Sequence, residues 1–372
     1  MSYGESAAAV GLVDKSFALA LGCVVIFNGV FNYYLGEILS EGLSLVATLC
    51  YLMIRIELKS RFVIQLFALI FFLLISVNQM FATGNQIRLL FIYPYLFFIA
   101  VLLMPLYKEK IKVNSDFIAK TIIYFACASS GYAIMQRLGF EIILPLESEL
   151  RATGLSRSSL NLTGCLFSAL AICVLNAKDN YKKIIVELIL FLGLVAAGGR
   201  GGMICGLVLI GAFYFKNNKI LLVILGCLML LLALIAENHF YKAFSAFDFS
   251  DDQSNLDRLD SYSQFFQQFE FLGGGVGSTS PAAMRFTDAT GFESSFLNTI
   301  YELGVGFSII FGLAILGWLT GLPKLVRNKI YILSAAIFPM LIGQQLYGIP
   351  SAFASLIICL YVILSNRRML IL

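Results

Sequence analysis

Charged residues are scarce in this sequence. Asp, Glu, Lys and Arg make up 13% of its 372 residues and hydrophobic residues 59%, against about 25% charged in an ordinary soluble domain. That excludes a soluble globular protein. Histidine occurs once, as His239, and there is no Asp-x-Asp triplet. A His-ligated metal site and the familiar metal-dependent nucleotide-sugar site are therefore not expected, nor is a cofactor, and metal-free chemistry is the default. No Cys-x-x-Cys pair is present either. The eight cysteines (Cys23, Cys50, Cys127, Cys165, Cys173, Cys205, Cys227 and Cys359) all lie in apolar runs and read as small buried side chains. The glycine clusters GGRGG and GGGVGS lack the Gly-Lys-Ser/Thr ending of a nucleotide loop, and no nucleic-acid partner is expected. The first apolar run follows a single basic residue, Lys15, without a small-residue cleavage site, and is expected to be retained as a span.

What the chain has is a series of apolar runs of membrane-spanning length. They fall near residues 17–35, 38–54, 62–82, 88–107, 117–138, 158–176, 183–198, 202–215, 220–236, 294–318, 330–346 and 349–365. The predicted fold class is an all-α polytopic membrane protein of about twelve transmembrane helices. Pro94 and Pro339 fall inside spans, where kinks are expected. One connection is unlike the others. Residues 237–293 form the one long polar interval, which divides the chain into residues 1–236 with nine spans, a loop, and residues 294–372 with three spans. A loop of that length reads as functional.

With a cytoplasmic N-terminus, 18 of the 26 basic residues fall inside, and the long loop falls outside. Of those 18, 13 are Lys. Seven of the eight outside are Arg: Arg88, Arg137, Arg151, Arg157, Arg200, Arg258 and Arg285. Topology requires only positive charge, whereas the planar guanidinium suits bidentate contact with phosphate or carboxylate. The outer face thus reads as built for an anionic ligand. Pairing with outer acids such as Glu147, Glu149, Asp257 and Asp260 is the structural alternative.

Three outer segments carry the signal. The first is Arg151 to Gly164, RATGLSRSSLNLTG. The second is the turn Gly198 to Gly202, whose glycines would let backbone N–H groups approach an anion, or which is simply a tight turn with a snorkelling Arg200. The third is the long loop, where Leu259, Tyr262, Phe266 and Phe269 recur at helical spacing and Gly273 to Gly275 end the helix. Its apolar face is expected on the membrane surface or over a cavity mouth. Tyr262, Phe265 and Phe266 would either pack there or stack on sugar rings. Arg258 sits in the first turn, where a bound anion would offset the helix dipole. Glu293 stands where the chain returns to the membrane, as a helix cap or a functional acid, and Glu302 lies about two turns deeper.

Taken together, these residues resemble the bacterial O-antigen polymerase and ligase superfamily, the Wzy-like proteins. Ligase-type members of that family show Arg-x-x-Gly before a Pro-Asn pair, then a Ser-Arg-Gly-Gly turn, then a large periplasmic loop with an Arg-led helix and a Gly-rich end. Arg151, Gly154 and Asn161 match the first element, with Leu160 in place of Pro. Arg200, Gly201 and Gly202 match the turn, with Gly199 in place of Ser. Arg258, Gly273, Gly275 and Gly277 match the loop, and the resemblance covers about residues 151–304. Ligases carry a His near the end of that loop; here the stretch begins with Glu293, and the sole His lies at the loop's start, which favours the polymerase branch.

The resemblance implies a glycosyltransferase C-like membrane fold in the bacterial inner membrane, with the active site on the periplasmic side. It also implies undecaprenyl-pyrophosphate-linked oligosaccharides as substrates, a surface polysaccharide or O-antigen product, and a chain-length regulator as partner. On that reading Arg200 and Arg258 stabilise the leaving pyrophosphate and Glu293 accepts the proton. Arg151, Arg157, Arg285, Tyr262 and Asn161 bind substrate. The alternatives are an O-antigen ligase acting on lipid A-core, and a flippase for the same lipid-linked sugars; no two-half repeat supports the latter.

Overall fold

The computed structural model describes residues 3–55, 115–147, 151–178, 180–217, 260, 262–267, 273, 294–343 and 350–365. These residues are almost entirely helical, with no strand. The labelled helices are α1 (Tyr3–Ile26), α2 (Asn28–Leu35), α3 (Glu37–Arg55), α4 (Ser115–Arg137), α5 (Ser159–Asn176), α6 (Tyr181–Ala196), α7 (Arg200–Asn217), α8 (Ser295–Thr320), α9 (Lys324–Gly343) and α10 (Pro350–Ser365). The predicted spans 62–82, 88–107 and 220–236, and Pro94, lie outside the described residues. So does most of the loop, apart from the helical residues 262–267.

Among the described residues, two helices, Asp116–Arg137 and Ser159–Asn176, are long and apolar enough to cross a membrane. A bent pair, Lys15–Ile26 with Asn28–Leu35, makes a third if it is one span, and Gly201–Tyr214 and Ser351–Ser365 are shorter apolar helices.

Among the described residues, helix α5 is central. All its residues except Leu160 are buried, and α10, α6, α4 and α7 pack around it. A helix apolar on every face must be surrounded. In lipid there is no hydrophobic gain in bringing helices together, so association depends on close approach of small side chains. Gly164 and Ser168 of α5 meet Ser355 of α10, whose hydroxyl donates to the Ser168 hydroxyl at 3.1 Å. Such a bond contributes about 0.6 kcal/mol. Ser158 caps the start of α5 by accepting from the Asn161 N–H, and Asn180 caps α6 by accepting from the Lys183 N–H at 2.8 Å.

Three observations bear on these expectations. The run 17–35 is not one straight span: α1 and α2 are bent by 75° at Phe27. The segment before α5 packs against the start of α2: the Gly29 N–H donates to the Leu155 carbonyl at 3.2 Å, and a Cβ on Gly29 would collide with the Ser156 backbone. The bend leaves Tyr33 and Tyr34 more than 70% exposed on α2, as interfacial aromatics are. Second, the short loop helix buries Phe265 (4% exposed) and leaves Phe266 outward (76%). An outward Phe266 is what an apolar face turned to the membrane surface would show, while Phe265 packs inward. Third, Cys50 is exposed, unlike the buried Cys165, Cys173, Cys205 and Cys359. It lies on an outward face of α3, where apolar character needs no burial inside the protein. Pro339 does fall inside α9 as expected.

Candidate functional site

The segment before α5 runs through the protein interior without helical hydrogen bonds, so each of its polar groups needs a partner. It has them. The Ala152 N–H donates to the Ala196 carbonyl at 3.2 Å, Gly154 N–H to Gln136 Oε1 at 2.8 Å, and Leu155 N–H to Ser129 Oγ at 3.0 Å. The Ser156 hydroxyl donates to the Ile26 carbonyl at 3.0 Å, and the Arg157 N–H to Asn28 Oδ1 at 3.0 Å. The segment therefore joins the end of α1, the end of α4 and the end of α6, which lies one turn before Arg200.

At its centre stands an acid for which sequence reasoning assigned no role. Glu41, one turn into α3, is 6% exposed. Its Oε1 accepts from Asn28 Nδ2 at 2.9 Å and from Asn161 Nδ2 at 2.8 Å, and its Oε2 accepts from the Ser351 N–H at 2.9 Å. An Arg157 guanidinium nitrogen lies 3.6 Å from Oε1. Ser351 is the second residue of α10, so its N–H has no partner within the helix, and a carboxylate there is favourable. Hydrogen bonds to a charged group contribute about 1.5–3 kcal/mol each, which offsets the several kcal/mol of burying the acid. Glu147 acts similarly at α5, accepting from the Ser159 N–H at 2.6 Å.

Of the residues nominated from sequence, Arg151 is exposed and its carbonyl accepts from the Glu147 N–H at 3.1 Å. Arg157 is half-buried beside Glu41, an acid other than those expected to pair with the outer arginines. Asn161 is buried; its Nδ2 donates to Glu41 and, at 2.7 Å, to Ser351 Oγ, while its Oδ1 accepts from Ser158 Oγ at 2.8 Å. Its amide thus ties α5 to α3 and α10. Arg200 is the first residue of α7. The glycines beside it serve helix packing: a Cβ on Gly199 would lie 3.0 Å from the Thr163 hydroxyl, and one on Gly202 would collide with the Thr163 methyl. Tyr262 is half-buried next to the buried Phe265. Arg258, Arg285 and Glu293 lie outside the described residues; the next residue, Ser294, is buried and its hydroxyl donates to the Leu341 carbonyl at 3.4 Å.

One end of the helix bundle therefore holds the starts of α3, α5, α7 and α10 and the ends of α4 and α6, with Arg151, Arg157 and Arg200 among them. The opposite end carries lysines. Lys183 is fully buried; its ammonium donates to the Val174 carbonyl at 3.1 Å, lies 3.7 Å from Glu187 and sits over the Phe213 ring at 4.5 Å. The Tyr214 hydroxyl donates to Glu187 at 2.9 Å, and Lys329 donates to Asn176 Oδ1 at 2.5 Å. Among the described residues, no three His, Cys, Asp or Glu side chains come together as a metal-ligand set.

Glu41 had a signal in the sequence. It falls inside the predicted span 38–54, and an acid within a span is a functional candidate by the rule that singled out Glu302. Glu187, inside 183–198, carries the same signal. What the sequence could not show is which distant groups each acid meets. A scan of protein-family models, a search of curated proteins and a search of solved structures return no match to this chain.

Proposed function

We propose that this chain is a polytopic inner-membrane glycosyltransferase of twelve spans that polymerises lipid-linked oligosaccharides into O-antigen or a related surface polysaccharide on the periplasmic face. The observation that carries the reading is the gathering of Arg151, Arg157 and Arg200, from separate parts of the chain, at one end of the helix bundle, while Lys183 and Lys329 lie at the other. Positive charge alone would not sort the two residue types. Guanidinium groups suit a pyrophosphate.

In the reaction, the bond between the anomeric carbon of the growing chain and its pyrophosphate breaks, and a hydroxyl of the incoming lipid-linked unit forms the new glycosidic bond. Negative charge collects on the departing undecaprenyl pyrophosphate, where Arg151, Arg157, Arg200 and Arg258, with Arg285, stabilise it. The hydroxyl proton passes to Glu293. A membrane-embedded chain-length regulator is the expected protein partner.

The test is the gel profile of surface polysaccharide from a strain lacking this gene. Lipid-core bearing a single repeat, restored to a ladder by a plasmid copy, is the expected result. Complete loss of surface polysaccharide overturns the polymerase reading. Lipid-linked polymer accumulating outside would then identify a ligase, and single units retained inside a flippase.

A further inference from the structure

We propose that Glu41 is a positioning residue for this reaction, holding the Arg157 guanidinium in place for the pyrophosphate of the lipid-linked donor. The inference rests on the polymerase reading and adds to it a residue for which no role was assigned from sequence. The Arg157 backbone N–H donates to Asn28 Oδ1 at 3.0 Å, which fixes the main chain, and the guanidinium lies 3.6 Å from Glu41 Oε1. Asn28 binds both partners, because its Nδ2 donates to the same Glu41 oxygen at 2.9 Å. Asn161 from α5 and the Ser351 N–H from α10 hold Glu41 in turn.

The exposure falls off in one direction along this chain of contacts. The Arg157 side chain is 28% exposed, and that of Glu41 is 8% exposed. A buried acid, fixed by three donors, thus presents an arginine at the surface of the end where Arg151 and Arg200 also lie. A long flexible side chain must lose its rotamer freedom before it can make a bidentate contact with phosphate. Here that freedom is restricted before the ligand arrives, which is how positioning contributes to rate. If Glu41 merely joined helix ends, its loss would reduce the amount of folded protein and leave the affinity of each folded molecule unchanged.

The test uses the full chain in nanodiscs with a synthetic undecaprenyl-pyrophosphate oligosaccharide, with kcat and KM counted per folded molecule. Glu41→Gln is expected to raise KM about tenfold or more, and Glu41→Asp, which keeps the charge, to recover most of it. Arg157→Lys should raise KM similarly, and the double variant should be little worse than Arg157→Lys alone, because both act through one contact. Wild-type KM in Glu41→Gln, or losses that multiply in the double variant, overturns the assignment. Should Glu41→Gln not accumulate, Asn28→Leu, which removes a donor to the same Glu41 oxygen, takes its place in the cycle with the same expected and overturning results. Binding of undecaprenyl pyrophosphate to the same nanodiscs separates the two readings. Binding weakened about tenfold in Glu41→Gln supports the role even where wild type makes no polymer, a result that would sink the polymerase reading alone; unchanged binding overturns the role.

Discussion

Gly273 lies directly against Gly304. A Cβ on Gly273 would stand 2.5 Å from the Gly304 amide nitrogen and 2.7 Å from the Glu302 carbonyl oxygen, and both glycines hold positive φ, 83° and 75°. Gly304 marks a kink inside α8, so Gly273 of the long loop packs against that kink, beside the backbone of the buried Glu302 and Leu303.

Gly273→Ala should therefore loosen the loop. The added methyl meets backbone atoms that cannot rotate aside, and the left-handed backbone adds its own strain, together about 1–3 kcal/mol. A lowered melting temperature in detergent and a shortened polysaccharide ladder are expected. An unchanged melting temperature would mean that the loop does not rest on α8.

At the opposite end, Lys183 and Glu187 form a buried pair one helical turn apart. Lys183→Met removes the ammonium from a buried carboxylate and should cost about 3–5 kcal/mol, while Lys183→Met with Glu187→Leu should recover part of the loss, since both charges then go together. Thermal denaturation of the purified variants checks this. Equal losses in the single and double variants would remove the pair from any electrostatic role.

Lys329, near the start of α9 and just ahead of the predicted apolar run 330–346, supplies a pH dependence. Burial, with the nearby Lys183 ammonium as the lesser cause, pushes its amine down from 10.5 to about 8. Below pH 8 the amine is charged in both folded and unfolded chains and the burial cost is fully present. Between 8 and 10.5 the folded chain releases a proton that the unfolded chain still holds, so stability rises with pH across that window. Melting curves from pH 7 to 10 should show the rise in wild type and lose it in Lys329→Met.

The helices themselves were legible because each is a local property. An apolar run of span length needs no distant partner, and the predicted runs at 38–54, 117–138, 158–176 and 183–198 return as α3, α4, α5 and α6 within a few residues. The caps at Ser158 and Asn180 are equally local, each reaching a backbone N–H three residues on. The candidate site was legible only in part. Arg151, Arg157 and Arg200 could be placed on one face by counting spans, whereas the partners of Arg157 and Asn161 could not be named.

By itself, then, the order of residues determined a helical chain of apolar segments and their approximate limits. Tertiary structure decided the 75° bend at Phe27, the burial of Phe265 rather than Phe266, and the partners of Glu41. The reason is distance along the chain. Glu41 takes its donors from residues 13, 120 and 310 positions away, and no local pattern of charge or hydropathy encodes which of many buried amides will reach a given acid. Only the packing of α3, α5 and α10 around one another brings them within hydrogen-bond reach.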